Sequence, residues 1–243
     1  MNAKILLLAL WLGSLCWACN SIQKSTENND SVTYNRAEKI KTPEDALQLL
    51  IEGNKRFVAN AVLNDDLSNA KRKLLKDKGQ NPFAVIVTCS DSRVPPELLF
   101  DQGLGDLFVI RVAGNVIDSV GMGSIQYAAE HLETPLIVVL GHEKCGAVHA
   151  TIAGGEFPGS IPSITARILP SINNVKLAYG DVENLEEMVI DANAQASVNT
   201  LNTDAMLKHL IELGKLNVIG ATYYLENGLV VWHERSQNSE KHR

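Results

Sequence analysis

The sequence predicts an α/β protein: a mostly parallel central β-sheet flanked by helices, with helices at its N-terminal side and a hairpin at its C-terminal end. Two continuous apolar runs, residues 84–88 and 136–140, are typical of strands buried on both faces of a sheet. A helical pattern lies between them, and the order strand, crossover, strand favours parallel pairing. The length of 243 residues and the 45% hydrophobic content allow one large domain or two small ones with a buried core.

Start and stop signals predict two helices before the first strand. Thr42 is an N-cap with Pro43 at the first helical position, and the helical spacing of apolar residues then runs to about Asn60. A second amphipathic helix is predicted over residues 68–78, ending at Gly79. These helices form the N-terminal part of the predicted domain, residues 42–235.

The later elements follow from periodicity and turn residues. A strand over residues 107–112 precedes a glycine-rich turn and a helix over 124–132. The region 156–213 is mostly helical in pattern, and we expect it to be divided at Pro158, Pro162, Pro170 and Gly180. Two last strands are predicted at 217–225 and 229–232, joined by Asn227-Gly228, a strong hairpin signal. Residues 236–243 form a polar tail.

The first 19 residues have the composition of an export signal, with Lys4 before an apolar run and the small residue Ala18 at its end. The run is shorter than the roughly 20 residues of a membrane-spanning helix. The segment resembles a bacterial lipoprotein signal, which would place a lipid on Cys19 and make residues 20–41 a polar tether. Cys16 stands where such signals usually carry leucine, so cleavage without lipid is the alternative. We expect an exported, periplasmic protein that meets the membrane only through Cys19.

The formal net charge is −6, which argues against nucleic acid as a partner. The basic residues between 71 and 78 alternate with leucines and an aspartate. This pattern is typical of a solvated helix face.

Two short segments directly after the apolar runs carry the strongest functional signal. Cys89 follows the first run, and His142 and Cys145 follow the second. Sites form at the carboxyl ends of parallel strands, so these two thiols and one imidazole are expected to meet. Zinc binds such ligands in a tetrahedron, and three protein ligands leave the fourth position for water. A single disulfide between the two cysteines is the alternative in an exported protein.

Asp91 and Arg93 lie within the first of these segments. An ion pair between them would keep Asp91 ionised beside the metal. Zinc lowers the pKa of its water from 15.7 to about 7 in well-studied cases, and Asp91 could then accept a hydrogen bond from the hydroxide and orient it. The alternative is an exposed salt bridge worth less than about 1 kcal/mol.

The motifs Cys-Ser-Asp-Ser-Arg-Val at 89–94 and Gly-His-Glu-Lys-Cys-Gly-Ala-Val at 141–148 resemble those of the β-class carbonic anhydrases. The resemblance covers about residues 43–232. It implies a zinc enzyme that reversibly hydrates carbon dioxide to bicarbonate and a proton through zinc-bound hydroxide. Two alternatives stay open: hydrolysis of carbonyl sulfide or carbon disulfide on the same scaffold, and a non-catalytic exported zinc-binding module.

The resemblance also implies a substrate pocket, which would be built at a dimer interface from Gln80, Phe108, Ala113, Gly114 and Tyr127. His131 lies one helical turn after Tyr127 and could relay protons. We expect at least a homodimer, with a homotetramer as the larger alternative.

Some members of the family have a closed state in which the aspartate itself binds zinc. By resemblance, Asp91 would then be the fourth ligand and activity would collapse at low pH. In one subgroup bicarbonate stabilises this state through a tryptophan at the position of Ile86. Because Ile86 stands there, and because Gln80 matches the plant-like (type I) subgroup, we expect the plant-like type without that switch.

Overall fold

The structure is a computed structural model that describes residues 33–34 and 39–233. The predicted export leader with Cys19 and the polar tail from residue 236 lie outside these residues, as does most of the predicted tether. Within the described ranges, no helix combines the length and the apolar character needed to cross a bilayer.

A short parallel pair of strands, β1 (Thr33–Tyr34) and β2 (Asn64–Asp65), stands apart from the main sheet. The main sheet has five strands in the order β4-β3-β5-β6-β7, and only β7 runs antiparallel to its neighbour. This confirms the predicted sheet and its C-terminal hairpin. The strands are β3 (Ala84–Thr88), β4 (Leu107–Arg111), β5 (Leu136–His142), β6 (Asn217–Tyr223) and β7 (Val230–Trp232).

Eight α-helices are assigned in the described residues, together with a 3-10 turn at Ala113–Asn115 and a π-helical turn at Tyr127–His131. The helices are α1 (Pro43–Val58), α2 (Asn69–Lys78), α3 (Pro96–Leu99), α4 (Ser119–Gln126), α5 (Gly146–Ala153), α6 (Pro162–Tyr179), α7 (Leu185–Thr203) and α8 (Ala205–Glu212).

The predicted helix starts of α1 and α2 are confirmed by their caps. The Thr42 hydroxyl accepts a hydrogen bond from the backbone N–H of Asp45 at 3.1 Å, and Ser68 accepts one from Lys71 at 3.1 Å. Such bonds satisfy amide groups that have no partner within the helix.

Two element boundaries were predicted wrongly. A helix was predicted from residue 124, after a glycine-rich turn, yet α4 begins at Ser119 because the Asp118 carboxylate caps it through the N–H of Gly121 at 2.7 Å. Pro170 was expected to divide its helix but lies inside α6. The loss of one backbone hydrogen bond there is outweighed by a buried apolar face, since Ile168, Ile172 and Val175 are all buried.

Both faces of the central strands are buried, as the continuous apolar runs predicted. Ala84 and Ile86 of β3 belong to the core on the side of α1 and α3, while Val85 and Val87 belong to the core on the side of α4, α7 and α8. After β3 the chain passes to β4 on one side, and after β5 it passes to β6 on the other. This reversal leaves a crevice beyond the carboxyl ends of β3 and β5, where α/β proteins bind ligands.

Gly53 of α1 lies so close to Phe100, the residue after α3, that one added methyl group should destabilise the protein strongly. A Cβ at Gly53 would lie 1.7 Å from the carbonyl oxygen of Phe100. We expect Gly53→Ala to lower the free energy of unfolding by about 3 kcal/mol in urea denaturation. Gly123→Ala in α4 is the matched control, since a Cβ there meets nothing within 4 Å, and it should raise stability by about 0.5–1 kcal/mol. Equal effects of the two changes would contradict this packing.

Candidate metal centre

Cys89, His142 and Cys145 meet in the crevice beyond β3 and β5. Cys89 directly follows β3, His142 is the last residue of β5, and Cys145 is the N-cap of α5. Because β3 and β5 pair in parallel with Thr88 opposite Leu140, Cys89 comes level with the end of β5. The three potential ligand atoms lie within 4.8 Å of one another. The residues are 5%, 0% and 1% exposed, respectively, so the cluster is shielded from bulk water.

The imidazole of His142 is oriented for ligation. Its Nδ1 lies 2.8 Å from the carbonyl oxygen of Glu143 and must donate, because a carbonyl only accepts. In the neutral ring Nε2 then carries the lone pair, and this buried atom has no hydrogen-bond partner among the described residues. Glu143 is itself fixed, since its N–H donates to Tyr223 at 2.8 Å and its carboxylate accepts from the N–H of Leu225 at 3.0 Å. A partner on the other nitrogen is typical of metal-binding histidines.

The two thiols are close but not joined by a disulfide. A hydrogen bond from the Cys145 thiol, supported by the N–H of Gly114 at 3.3 Å from the sulfur, lowers the pKa of Cys89 although burial opposes this. The same contact with Cys89, together with burial, raises the pKa of Cys145. A thiolate, a buried imidazole lone pair and a second thiol form the nitrogen and sulfur donor set that zinc prefers. The cluster therefore fits zinc.

Asp91 and Arg93 form the predicted ion pair at the edge of this cluster. Arg93 donates from Nε to Oδ1 at 2.9 Å and from its NH2 group to Oδ2 at 2.8 Å. The backbone N–H of Arg93 also donates to Oδ1, and that of Val94 to the Asp91 carbonyl, so the segment is a tight turn with aspartate at its first position. Oδ2 lies 3.9 Å from Nε2 of His142. The carboxylate thus lies beside the three candidate ligand atoms without joining them.

The charge state of Asp91 is set by Arg93. Its hydrogen bonds hold the pKa of Asp91 well below the ordinary value, against a smaller opposite effect of burial. Arg93 also donates to the carbonyl of Lys144 at 3.1 Å and so ties the Cys89 segment to the His142–Cys145 turn. Asp91 is therefore an acceptor of hydrogen bonds over the whole range in which proteins are usually stable.

Arg111 is a further part of the site, to which the sequence analysis assigned no role. Its Nε donates to the Cys89 carbonyl at 3.1 Å and its NH2 group donates to the Asp91 carbonyl. Its position opposite Thr88 in the β3–β4 register puts it beside this turn, a relation that only strand pairing reveals. The Cys89–Asp91 segment is thereby held through its main chain as well as through the Asp91 side chain.

Two of the predicted pocket residues lie beside Cys89. Gly114 donates its N–H to the sulfur, and Ala113 precedes it in the 3-10 turn. Gly114 has φ +70°, and a Cβ there would lie 2.8 Å from Cδ1 of Ile168 and 3.2 Å from Cβ of Ala147. Both the backbone conformation and the space available require glycine at this position.

Phe108, Tyr127 and His131 form a separate aromatic group. The rings of Phe108 and Tyr127 are 6.3 Å apart, and Tyr127 stacks on His131 at 4.9 Å. Phe108 pairs with Val85, four residues before Cys89, which corresponds to about 13 Å along the strands. Within one chain the structure therefore does not bring this group to the metal-binding cluster, and its role in the pocket stays a prediction.

Gln80 lies still further from Cys89 in the same chain. It is exposed in the link between α2 and β3, before the amino end of that strand. Cys89 follows the carboxyl end of the same five-residue strand, roughly 17 Å away along its axis. A contact of Gln80 with a metal centre would have to involve a second copy of the chain.

Asn193 is the other site residue that sequence analysis missed. It lies on α7, is 2% exposed, and donates from Nδ2 to the Gly114 carbonyl at 2.8 Å. The available signal was a polar residue on the mostly apolar buried face of α7. Such a residue is hydrogen-bonded in most proteins, but its partner cannot be read from the sequence.

Fold and site together define an α/β protein with a buried Cys-His-Cys cluster at the carboxyl edge of a parallel sheet. Comparison with known proteins gives the family. The family profile described as carbonic anhydrase matches residues 84–230. Carbonic anhydrase 2 of Mycobacterium tuberculosis is 40% identical over 205 residues, which cover 81% of this chain and 95% of that protein.

Solved structures agree with this assignment. The β-carbonic anhydrase CcaA superposes with a TM-score of 0.62 at 28% identity, covering 77% of this chain and 95% of that one. A structure described as one of two tetrameric β-carbonic anhydrases of Sordaria macrospora shares the fold, with a TM-score of 0.61 at 24% identity over 67% of this chain and 90% of that one. The chain belongs to the β-class carbonic anhydrase family of enzymes.

Proposed function

We propose that this enzyme reversibly hydrates carbon dioxide to bicarbonate and a proton, with zinc held by Cys89, His142 and Cys145. The observation that carries this proposal is the buried three-ligand cluster with the ionised Asp91 carboxylate 3.9 Å from Nε2 of His142. Zinc bound by three protein ligands keeps one position open and supplies a nucleophile near neutral pH by acidifying water. A purely structural zinc site would have a fourth protein ligand instead.

The residues around the cluster have distinct roles in this proposal. Asp91 Oδ2 accepts a hydrogen bond from the attacking oxygen, so that a lone pair of that oxygen faces the carbon of the substrate. Arg93 keeps Asp91 ionised and in place through two hydrogen bonds. The apolar side chains packed around the cluster, among them Val116 and Val148, exclude competing water. Carbon dioxide has no charge, so such walls suit it.

We also propose that the enzyme belongs to the plant-like subgroup. Ile86 is fully buried in the core on the α1 side of β3, where it offers no hydrogen-bond donor to an anion. This supports the expectation that a bicarbonate switch at this position is lacking. In a closed state with Asp91 as fourth ligand, the metal would compete for carboxylate oxygens that now accept hydrogen bonds from Arg93.

Asp91→Asn tests the proposed mechanism. The amide keeps the size of the side chain but cannot act as an ionised acceptor, so kcat/KM for carbon dioxide should fall about 10- to 100-fold while zinc content stays near one per chain. Stopped-flow hydration between pH 6 and 9, with zinc measured on the same samples, checks this. Asp77→Asn is the control, because Asp77 forms an exposed pair with Lys73 on α2.

The same assay separates the alternatives. A wild-type protein that holds zinc but hydrates no carbon dioxide at any pH would contradict the proposal. Turnover of carbonyl sulfide or carbon disulfide by that protein would then establish the hydrolase alternative. Loss of all three activities with zinc retained would leave the non-catalytic module.

We propose further that the active enzyme is at least a homodimer. Gln80, Phe108 and Tyr127 cannot reach Cys89 of their own chain, and Tyr127 is 45% exposed. A second copy related by two-fold symmetry could bring these side chains, and His131 as proton relay, to the metal centre. The similar enzyme of Sordaria macrospora is described as tetrameric, which agrees with assembly but leaves the number of chains here open.

Mixing two inactive variants tests this arrangement. Cys89→Ser should abolish zinc binding, and Tyr127→Ala should leave the metal but damage the pocket of the partner. When the two variants are unfolded together and refolded as a mixture, activity should return. About a quarter of the sites would then combine the intact cluster of one chain with the intact Tyr127 of the other. Separately refolded samples are the control. No gain in activity from a mixture that forms dimers by light scattering would contradict a shared pocket.

The N-terminal segment supports a proposal about location. We propose that residues 1–19 direct export and that Cys19 carries a lipid which holds the enzyme at a membrane face of the periplasm. Cys19→Ser should shift the mature protein from the membrane to the soluble fraction in a bacterial host and remove the lipid mass. Cys16→Ser is the control and should change neither. If the wild-type protein is cleaved but soluble, export is supported and the lipid anchor is refuted. If it stays unprocessed in the cytoplasm, both export and the anchor are refuted.

A further inference from the structure

We infer that Asn193 is a positioning residue of the metal centre. Through the main chain of Gly114 it aims an N–H group at the sulfur of Cys89 and thereby controls how tightly the centre retains zinc. This inference rests on the part of the proposed function that assigns zinc to the cluster, but not on the reaction catalysed.

The contacts form a chain of two hydrogen bonds from a helix to a ligand atom. Nδ2 of Asn193 donates to the Gly114 carbonyl at 2.8 Å, and the N–H of Gly114 donates to Sγ of Cys89 at 3.3 Å. Asn193 is 2% exposed, so water has little access to replace its amide group. One helical turn later, Ser197 donates to the Asn115 carbonyl at a longer distance of 3.4 Å.

The turn that carries Gly114 depends on such support. It is closed by a bond from the N–H of Asn115 to the Val112 carbonyl at 2.8 Å, with φ +70° and ψ +19° at Gly114 and φ +44° at Asn115. Positive φ at a residue other than glycine is unfavourable and persists only where neighbouring contacts determine it. The Gly114 carbonyl is held by Asn193 of α7 at 2.8 Å, and this fixes the turn that carries the Gly114 N–H.

Loss of the Asn193 amide would leave the Gly114 carbonyl buried without this donor. A buried carbonyl without a partner is costly, so the peptide would rotate or the turn would open to recover one. Rotation of the Gly114–Asn115 peptide would carry the Asn115 N–H away from the Val112 carbonyl and so break the bond that closes the turn. A turn opened in either way moves the Gly114 N–H away from Cys89. An N–H bond to a ligating thiolate stabilises its charge and orients it, and groups in this position typically affect metal affinity or activity 10- to 100-fold when they are changed.

Asn193→Leu removes the hydrogen bond while filling the site, because leucine branches at Cγ as asparagine does but has no donor. The zinc-loaded full-length enzyme is challenged with an excess of chelator, and zinc release should be about 10- to 100-fold faster than in the wild type. The cobalt-substituted enzyme gives a second readout: the thiolate-to-cobalt charge-transfer band should move to lower energy when the sulfur loses its hydrogen bond. Ser197→Ala is the matched control on the same helix face, with an expected change in release of less than about threefold because its bond is long.

Several outcomes would overturn the inference. One is that Asn193→Leu releases zinc at the wild-type rate and its charge-transfer band is not shifted. Another is that Ser197→Ala changes both readouts as much as Asn193→Leu does, which would indicate general loosening of α7. If Asn193→Leu does not fold, Asn193→Ser removes the amide with less steric demand, and the same two readouts decide. A wild type that fails to hydrate carbon dioxide while Asn193→Leu releases zinc faster refutes the proposed function and leaves this inference intact. Normal hydration with unchanged zinc release refutes this inference alone.

Discussion

The parallel pairing of β3 with β5 is the constraint on which the site depends. In this register Thr88 lies opposite Leu140, so the residue after β3 comes beside the last residues of β5. A slip by one residue would turn every side chain of β3 to the other face and separate Cys89 from His142. Since both faces of both strands are buried in different cores, such a slip would disrupt the whole interior.

The segment between Cys89 and Val94 has no regular structure, and its conformation is maintained by two arginines instead. Arg93 binds the Asp91 carboxylate and the Lys144 carbonyl, and Arg111 binds the carbonyls of Cys89 and Asp91. An ion pair at the surface usually contributes little. Here the guanidinium groups satisfy main-chain carbonyls from separate segments, so the pair also fixes where the thiol and the carboxylate stand.

The metal side of the site is complete within one chain, whereas the predicted aromatic wall is not. Apolar residues of α5, α6 and α7 pack with Cys89 and Cys145 in one buried cluster. The rings of Phe108, Tyr127 and His131 pack on one another near the amino end of β4. This division explains how a chain can carry an intact ligand cluster and still depend on assembly for its proposed reaction.

The sequence by itself determined the local features and the chemistry. Capping residues marked the starts of α1 and α2, continuous apolar runs marked β3 and β5, and the residue types after these runs indicated a zinc-binding cluster with an Asp91–Arg93 pair. Each of these signals acts over a few residues, through backbone capping, strand burial or ligand chemistry. They can therefore be read without knowledge of the fold.

Only the tertiary structure decided which groups distant in sequence contact the site, and which of the predicted groups lie away from it. Arg111 binds the Cys89 carbonyl, 22 residues away in sequence, and Asn193 binds the Gly114 carbonyl, 79 residues away. No local pattern identifies such partners. Pro170 stays within α6 because the packing of its neighbours outweighs its local effect. Phe108 and Gln80 are separated from Cys89 by the length and direction of β3, and distance along a strand follows from pairing, not from residue type.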